Sequence, residues 1–212
     1  MNINLDKNSL AELNCWRIAL LNKPALAAGP MNGARTAVVV VDMVNGFAVK
    51  GALASARADA LIEPIENALS LLPNAKKIFL RDEHTEASVE FKFFPPHCAT
   101  EKESAVVSGL KRFVNVDVPK NSTNGIFAFV NAVDVRDFNN FLVMGVCADI
   151  CVMQFALSLQ AFLMEHNLPA AVSVFTDYID TYNSPAHNAD LYNLFALKNM
   201  EENGIQIFKG LV

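Results

Sequence analysis

The run TAVVVV (36–41) places six weakly polar or apolar residues in a row, all but one of them β-branched. A half-solvated strand would alternate. A continuous run instead predicts a strand buried on both faces of a parallel sheet. KIFL (77–80), FVNVDV (113–118), FLVMGV (141–146), AVSVF (171–175) and IQIF (205–208) predict five further strands. Between them, helical periodicity covers about 59–72, 131–140, 149–166 and 186–203, with Gly204 closing the last.

This alternation predicts an α/β fold: a doubly wound, mainly six-stranded parallel sheet with helices on both faces, in three Rossmann-like layers. No repeat, linker or low-complexity tract divides it, so 36–212 reads as one domain. Residues 1–35 read as an N-terminal extension. Within it, Ser9 and Glu12 suit a capping box, and Leu10, Leu13, Ile18 and Leu21 give an apolar face to a helix over 9–21. Such a helix packs on the outside or reaches a neighbouring subunit, which leaves a homo-oligomer open.

Composition narrows the function. The chain has 212 residues, 52% hydrophobic and 18% charged, with a formal net charge of −5. A disordered chain is excluded, and the acidic balance without a Lys/Arg-rich run argues against nucleic acid. No uninterrupted apolar run of bilayer-spanning length is present, so no membrane is expected as partner. MNINLDKNSL lacks the basic and apolar regions of a secretory signal. Cys15, Cys98, Cys147 and Cys151 show no zinc-ribbon spacing, and a reducing cytoplasm is the expected location.

In doubly wound sheets ligands bind beyond the carboxyl ends of the strands. Asp42 follows the first predicted strand, Asp82 and His84 the second, Lys120 the third, and GVCADIC (145–151) closes the fourth. Cys151 falls where a strand turns into a helix; unpaired N–H groups there favour a thiolate nucleophile over a small buried hydrophobe. Asp42, ending a very apolar strand, is a loop cap or a functional acid. Lys120 is a solvated surface lysine, or it stabilises a thiolate and a developing oxyanion. Cys15 and Cys147 read as structural, and Cys98 as an unassigned neighbour of His97.

Asp82-x-His84 puts two donors on one side of an extended segment. The stretch EFKFFPPHC (90–98) adds Glu90 and then His97, on a loop stiffened by Pro95 and Pro96 and expected to be extended. Two imidazoles and two carboxylates without a thiolate suit Zn²⁺, Fe²⁺ or Mn²⁺, not a thiol-rich structural zinc site.

In this order, these residues resemble the nicotinamidase/pyrazinamidase branch of the isochorismatase-like cysteine hydrolases, from about residue 36 onward. The resemblance implies a catalytic triad of Asp42, Lys120 and Cys151. It implies an oxyanion hole from the backbone N–H groups of Cys147 and Cys151, with a cis peptide between Val146 and Cys147. It also implies one divalent metal ion, zinc before iron or manganese, held by Asp82, His84, His97 and Glu90. Phe47 and Phe94 would wall a slot for an aromatic ring. The tryptophans usual in the two metal motifs are replaced by Glu83 and Phe94, and the segment from His84 to His97 is short for the family. The implied activity is hydrolysis of nicotinamide, a small-molecule amide, to nicotinate and ammonia. Another small amide is the alternative within the superfamily. A non-catalytic α/β ligand-binding protein is the alternative outside it, weakened because no G-x-G-x-x-G follows the first strand.

Overall fold

The computed structural model describes residues 6–212. Six strands, β1 (Thr36–Val41), β2 (Lys76–Asp82), β3 (Val116–Lys120), β4 (Asn140–Val146), β5 (Ala171–Asp180) and β6 (Gln206–Phe208), form one sheet. All pair in parallel, in the order β3-β2-β1-β4-β5-β6. The chain runs outward from β1 to one edge, returns to β4, and runs outward to the other edge. The strand order therefore reverses between β1 and β4, the crevice where such sheets bind ligands.

The apolar runs are apolar because both faces are covered. Ala37, Val39 and Val41 of β1 point into one core with Phe141 and Val143 of β4. Helices Ile126–Ala132, Met153–Glu165 and Ala189–Glu202 close that side with Phe129, Phe155, Leu159 and Met200. Val38, Val40, Leu142 and Met144 point to the other side, under Ile65, Ala68 and Leu69 of helix Ile62–Ser70. Each of the larger side chains contributes about 1.5–3 kcal/mol by leaving water, so these two layers hold the frame of the site rigid.

Several elements differ from the sequence pattern. The third strand begins at Val116 because Lys111–Phe113 form a 3₁₀ turn, and it runs through Pro119 to Lys120. Pro119 is tolerated because β3 is an edge strand, with no ladder on its outer side to lose a donor. The helix expected over 131–140 lies instead at Ile126–Ala132. The Asn124 side chain accepts from the Ile126 N–H (3.1 Å) to start it, and Asp134 then opens a separate 3₁₀ turn. The 59–72 segment divides into short helix Ala56–Asp59 and helix Ile62–Ser70. β5 continues five residues past Phe175, to Asp180, after a register shift opposite Val143–Gly145. Ala148–Glu165 is long and apolar enough to cross a membrane by composition, contrary to the count of uninterrupted apolar residues. Phe155, Ala156, Leu159 and Leu163 from this run pack against the sheet.

The N-terminal helix spans Lys7–Leu21 and is capped by Asp6, not Ser9: the Asp6 carboxylate accepts from Asn8 and Ser9, and the Ser9 hydroxyl accepts from the Asp6 N–H. Its expected apolar face is not its packed face, since Leu10, Ile18 and Leu21 are exposed. Leu20 is buried instead, and Trp16 meets Phe195 of helix Ala189–Glu202 edge-on at 5.9 Å. Beyond the helix, Leu26 bridges to Leu211, and the Lys209 N–H donates to the Pro24 carbonyl (2.9 Å).

Candidate active site

Asp42 is the first residue past β1, fully buried and in the left-handed region at φ +54°, a conformation aspartate tolerates better than most side chains. There its carboxylate reaches across to the ends of two neighbouring strands. Oδ1 accepts from the Asp82 N–H at 2.9 Å, and Oδ2 lies 2.8 Å from Lys120 Nζ. Lys120 ends β3. Its ammonium donates to Asp82 and to the Ser122 carbonyl at 3.0 Å, and forms an ion pair with Asp42. Burial alone would discharge it, but Asp42, Cys151 and Asp82 hold its pKa well above the ordinary lysine value.

β4 delivers the thiol. Gly145 (φ +123°) lets the strand pass against the Val41 backbone, where a Cβ would lie 2.8 Å from the Val41 nitrogen. The Val146–Cys147 peptide is cis. Ala148–Val152 then form a π-helical turn ahead of helix Met153–Glu165, with the Ile150 and Val152 N–H groups on the Cys147 carbonyl. Cys151 in this turn is buried and shares a cavity with Cys147, Asp82, Glu90 and His97.

The electrostatics of this group differ from the expectation of a ready thiolate. Burial pushes the Cys151 thiol well above its usual value; Lys120 pulls it down, while Asp42 and Asp82 push it up again. Burial also raises Asp42, with help from Asp82 and against Lys120 and a Cys151 hydrogen bond, to about 7. In the resting site the proton therefore stays on sulfur, beside a carboxylate poised to take it at neutral pH.

Three of the four expected metal donors, Asp82, Glu90 and His97, line the same cavity, and His84 completes the group. Asp82, His84, Glu90 and His97 each offer one atom, and all four atoms lie within 4.8 Å of one another. His84 Nε2 and His97 Nε2 each lie 3.6 Å from Asp82 Oδ2; Glu90 Oε1 lies 3.9 and 3.6 Å from them. Tetrahedral bonds of about 2.0–2.2 Å set neighbouring ligand atoms roughly 3.3–3.6 Å apart, close to this spacing. His97 Nδ1 donates to the Pro95 carbonyl (2.8 Å), and His84 Nδ1 faces Asn121 Oδ1 (2.7 Å). Engaged in this way, the rings present their Nε2 lone pairs to the centre, as outer hydrogen bonds do for ligating histidines. His84 Nε2 is buried without a hydrogen-bond partner.

Charge gives the same answer. Asp42, Asp82 and Glu90 bring three carboxylates against one ammonium, Lys120, leaving two negative charges when all are ionised. Burial opposes ionisation of Asp82, yet Lys120, His84 and His97 hold it well below the carboxylate range. Burial likewise opposes a charged His97, yet the Asp82 and Glu90 carboxylates 3.6 Å from its Nε2 and the Pro95 carbonyl carry it up to about 10. The pocket thus demands positive charge at its centre, and a divalent cation fits both charge and donors.

Glu90 reaches this centre because its segment is not extended. Val89–Lys92 form a 3₁₀ turn, and the Phe93 and Phe94 N–H groups fold back onto the Glu90 carbonyl. The aromatic residues of the stretch serve the histidines. Phe91 sits edge-on to His84 and His97 at 5.4 and 5.7 Å, and Phe47 and Phe94 flank His97 at 5.4 and 6.3 Å. Phe47 and Phe94 both line the cavity, of about 590 Å³, while Phe93 points to solvent. Cys98 is buried at φ +47°, and its carbonyl accepts from the His84 N–H at 3.1 Å.

Some residues of the site are absent from the sequence pattern. Asn121 follows Lys120 directly, so the strand-end rule applied one residue further would have reached it. Tyr182 and Asn183 border the cavity from beyond β5, and Ala52–Arg57 also line it. The β5 group was hidden by the strand's early predicted end.

Residues 36–200 match the family described as the isochorismatase domain. The chain belongs to the isochorismatase family. No curated protein sequence matches it significantly. Among solved structures it is similar to an isochorismatase-like hydrolase from Alkaliphilus metalliredigens, at 15% identity and TM-score 0.69, over 83% of this chain and 95% of that one. PnC1 from L. infantum, solved in complex with nicotinate, aligns at 19% identity and TM-score 0.68, over 89% and 98%. The pyrazinamidase of Pyrococcus horikoshii, solved with zinc, aligns at 22% identity and TM-score 0.65, over 82% and 99%.

Proposed function

We propose that this protein is a metal-dependent amidase that hydrolyses nicotinamide to nicotinate and ammonia. The observation that carries the reading is the clustering of Asp82, His84, Glu90 and His97, with Asp82, Glu90 and His97 lining the same cavity as Cys151. A nucleophile and a cation site facing one aromatic slot suit a substrate with an amide on one side of a ring and a lone pair on the other. Similar structures solved with nicotinate and with zinc support both halves.

When bound, the divalent cation supplies a Lewis-acid position for the pyridine nitrogen. Phe47 and Phe94 confine the ring between them, turning the amide carbon toward Cys151 Sγ. Holding the partners in reacting geometry is worth about 7–11 kcal/mol at best. Asp42 takes the thiol proton as sulfur attacks the carbonyl carbon. The backbone N–H groups of Cys147 and Cys151 hold the oxyanion, and Lys120 balances the charge passing between sulfur and carboxylate. Asp42 returns its proton to the departing nitrogen, ammonia leaves, and a thioester remains. Water adds to that carbonyl, giving its proton to Asp42, and nicotinate leaves as the thiol reforms.

The test is direct: purified protein loaded with Zn²⁺, Fe²⁺ or Mn²⁺ should release ammonia and nicotinate stoichiometrically from nicotinamide. Absence of release with all three would reject the reading. Release without any metal would favour a metal-independent amidase of the same family.

A further inference from the structure

The turn that carries Cys151 is gripped by a loop that the proposed chemistry does not use. Asp149, two residues before the thiol, has its Oδ2 2.8 Å from His187 Nε2. His187 Nδ1 lies 2.9 Å from the Tyr182 carbonyl, an acceptor only, so Nδ1 carries a hydrogen. The side chain is 9% exposed, and the ring lies between two tyrosines. Tyr182 stacks on one face at 4.0 Å and 9°, Tyr192 on the other at 3.8 Å and 22°. With both nitrogens engaged and both faces covered, His187 has a single orientation.

The same loop is braced against itself. Ser184 and His187 exchange backbone hydrogen bonds at 2.9 and 3.1 Å, and Asn183 Oδ1 accepts from the Ala189 N–H at 3.0 Å. At the other end of the turn, Cys147 lines the same cavity as Tyr182 and Asn183 of this loop. The segment Cys147–Cys151 is thus held at Asp149 by one rigid loop.

We infer that His187 is a positioning residue which, through Asp149, fixes the Cys147–Cys151 turn and so aims the thiol and the two oxyanion N–H groups. The inference rests on the proposed role of that turn, and adds a device for holding it. Neither His187 nor Asp149 touches the metal donors or the aromatic slot, so their loss should act on the chemical step more than on substrate capture.

The experiment compares His187→Ala, His187→Gln, Asp149→Ala and the His187→Ala/Asp149→Ala double variant, all in a Cys15→Ser background. It reads kcat and KM for nicotinamide, bound metal, and the second-order rate of Cys151 alkylation by iodoacetamide. Misaiming a reacting group by an ångström costs on the order of 100-fold, so kcat should fall about 10- to 100-fold in His187→Ala with KM within about threefold. Alkylation should slow by about fivefold or more, with metal content unchanged. His187→Gln, whose amide N–H can reach Asp149, should recover part of the loss. The double variant should be no worse than the poorer single one, because both remove one contact. Wild-type kcat and alkylation rates in folded His187→Ala would overturn the inference, as would fully additive losses in the double variant. If His187→Ala does not fold, Asp149→Ala and His187→Gln decide by the same criteria. The alkylation arm needs no substrate, so it separates failure of this inference from failure of the nicotinamidase reading.

Discussion

His84 and His97 meet edge-on with ring centroids 4.7 Å apart, and each turns its Nδ1 toward an oxygen outside the pair. One partner is a side chain, Asn121, and the other a carbonyl of the same loop, Pro95. The two rings are thereby fixed by different means, and they can be tested separately.

Replacing Asn121 removes the shorter of the two side-chain contacts that brace His84 Nδ1, the other being the Ser88 hydroxyl. Asn121→Ala should weaken divalent-metal binding by about 10- to 100-fold, the usual cost of losing a group that orients a ligating histidine. Isothermal titration with Zn²⁺ reads this. An unchanged dissociation constant would mean that Ser88, 3.2 Å from His84 Nδ1, holds the ring alone.

Chelation should suppress nicotinamide hydrolysis, and added divalent metal should restore it. His97→Ala should lose bound metal, while Cys151 alkylation stays within about an order of magnitude, because Lys120 still favours the thiolate. Elemental analysis alongside iodoacetamide kinetics measures both. Full activity in metal-free protein would count against the metal's role.

Glu90→Gln keeps the size of the side chain and removes its charge. With only about 10% of that side chain exposed, the change should weaken metal binding or turnover by about 10- to 100-fold. Metal titration together with steady-state rates decides whether Glu90 serves the centre or only the loop.

Cys151→Ala should abolish turnover with fold and metal content retained, because the covalent step loses its atom. In mass spectrometry after iodoacetamide, exposed Cys15 should label as an ordinary thiol. Once Cys15 is removed, Cys151 should label ahead of Cys147: burial raises both thiols, but Lys120 draws down Cys151 and Asp42 stands ready to take its proton. Hydrolysis retained in Cys151→Ala would exclude the thioester route.

Gly145→Ala should disturb both fold and site. A side chain there meets the Val41 backbone and is held at φ +123°. Backbone strain of about 1–3 kcal/mol and overpacking of similar size predict a clear fall in the urea midpoint.

What was legible in the sequence follows from how its signals arise. TAVVVV and FLVMGV announce a doubly covered parallel sheet because every position must be apolar, and the strand-end rule then leads to Asp42, Asp82, Lys120 and Cys151. β5 was cut short because Thr176 and Asp177 interrupt its apolar run, although Tyr178 and Ile179 beyond them are buried. That lost end hid Tyr182 and His187. Glu90 was ambiguous because spacing along a proline-rich loop fixes a maximum reach but not a direction, and the 3₁₀ turn at Val89–Lys92 supplies the direction. The resting charge state of Cys151 was misread for another reason: position at a helix start is local, whereas the burial that dominates it is tertiary.

Trp16 is the chain's single tryptophan, and it reports from an unusual place. It lies outside the sheet, edge-on to Phe195 and 5.9 Å beneath Lys198 Nζ, on the helix that begins two residues after His187. Its fluorescence therefore registers the docking of the first helix rather than melting of the strands. A peripheral helix with one well-buried residue is a natural low-stability unit. The emission of this protein should accordingly shift at a lower urea concentration than its circular dichroism, an intrinsic optical probe seated one helix away from the loop that holds the thiol turn.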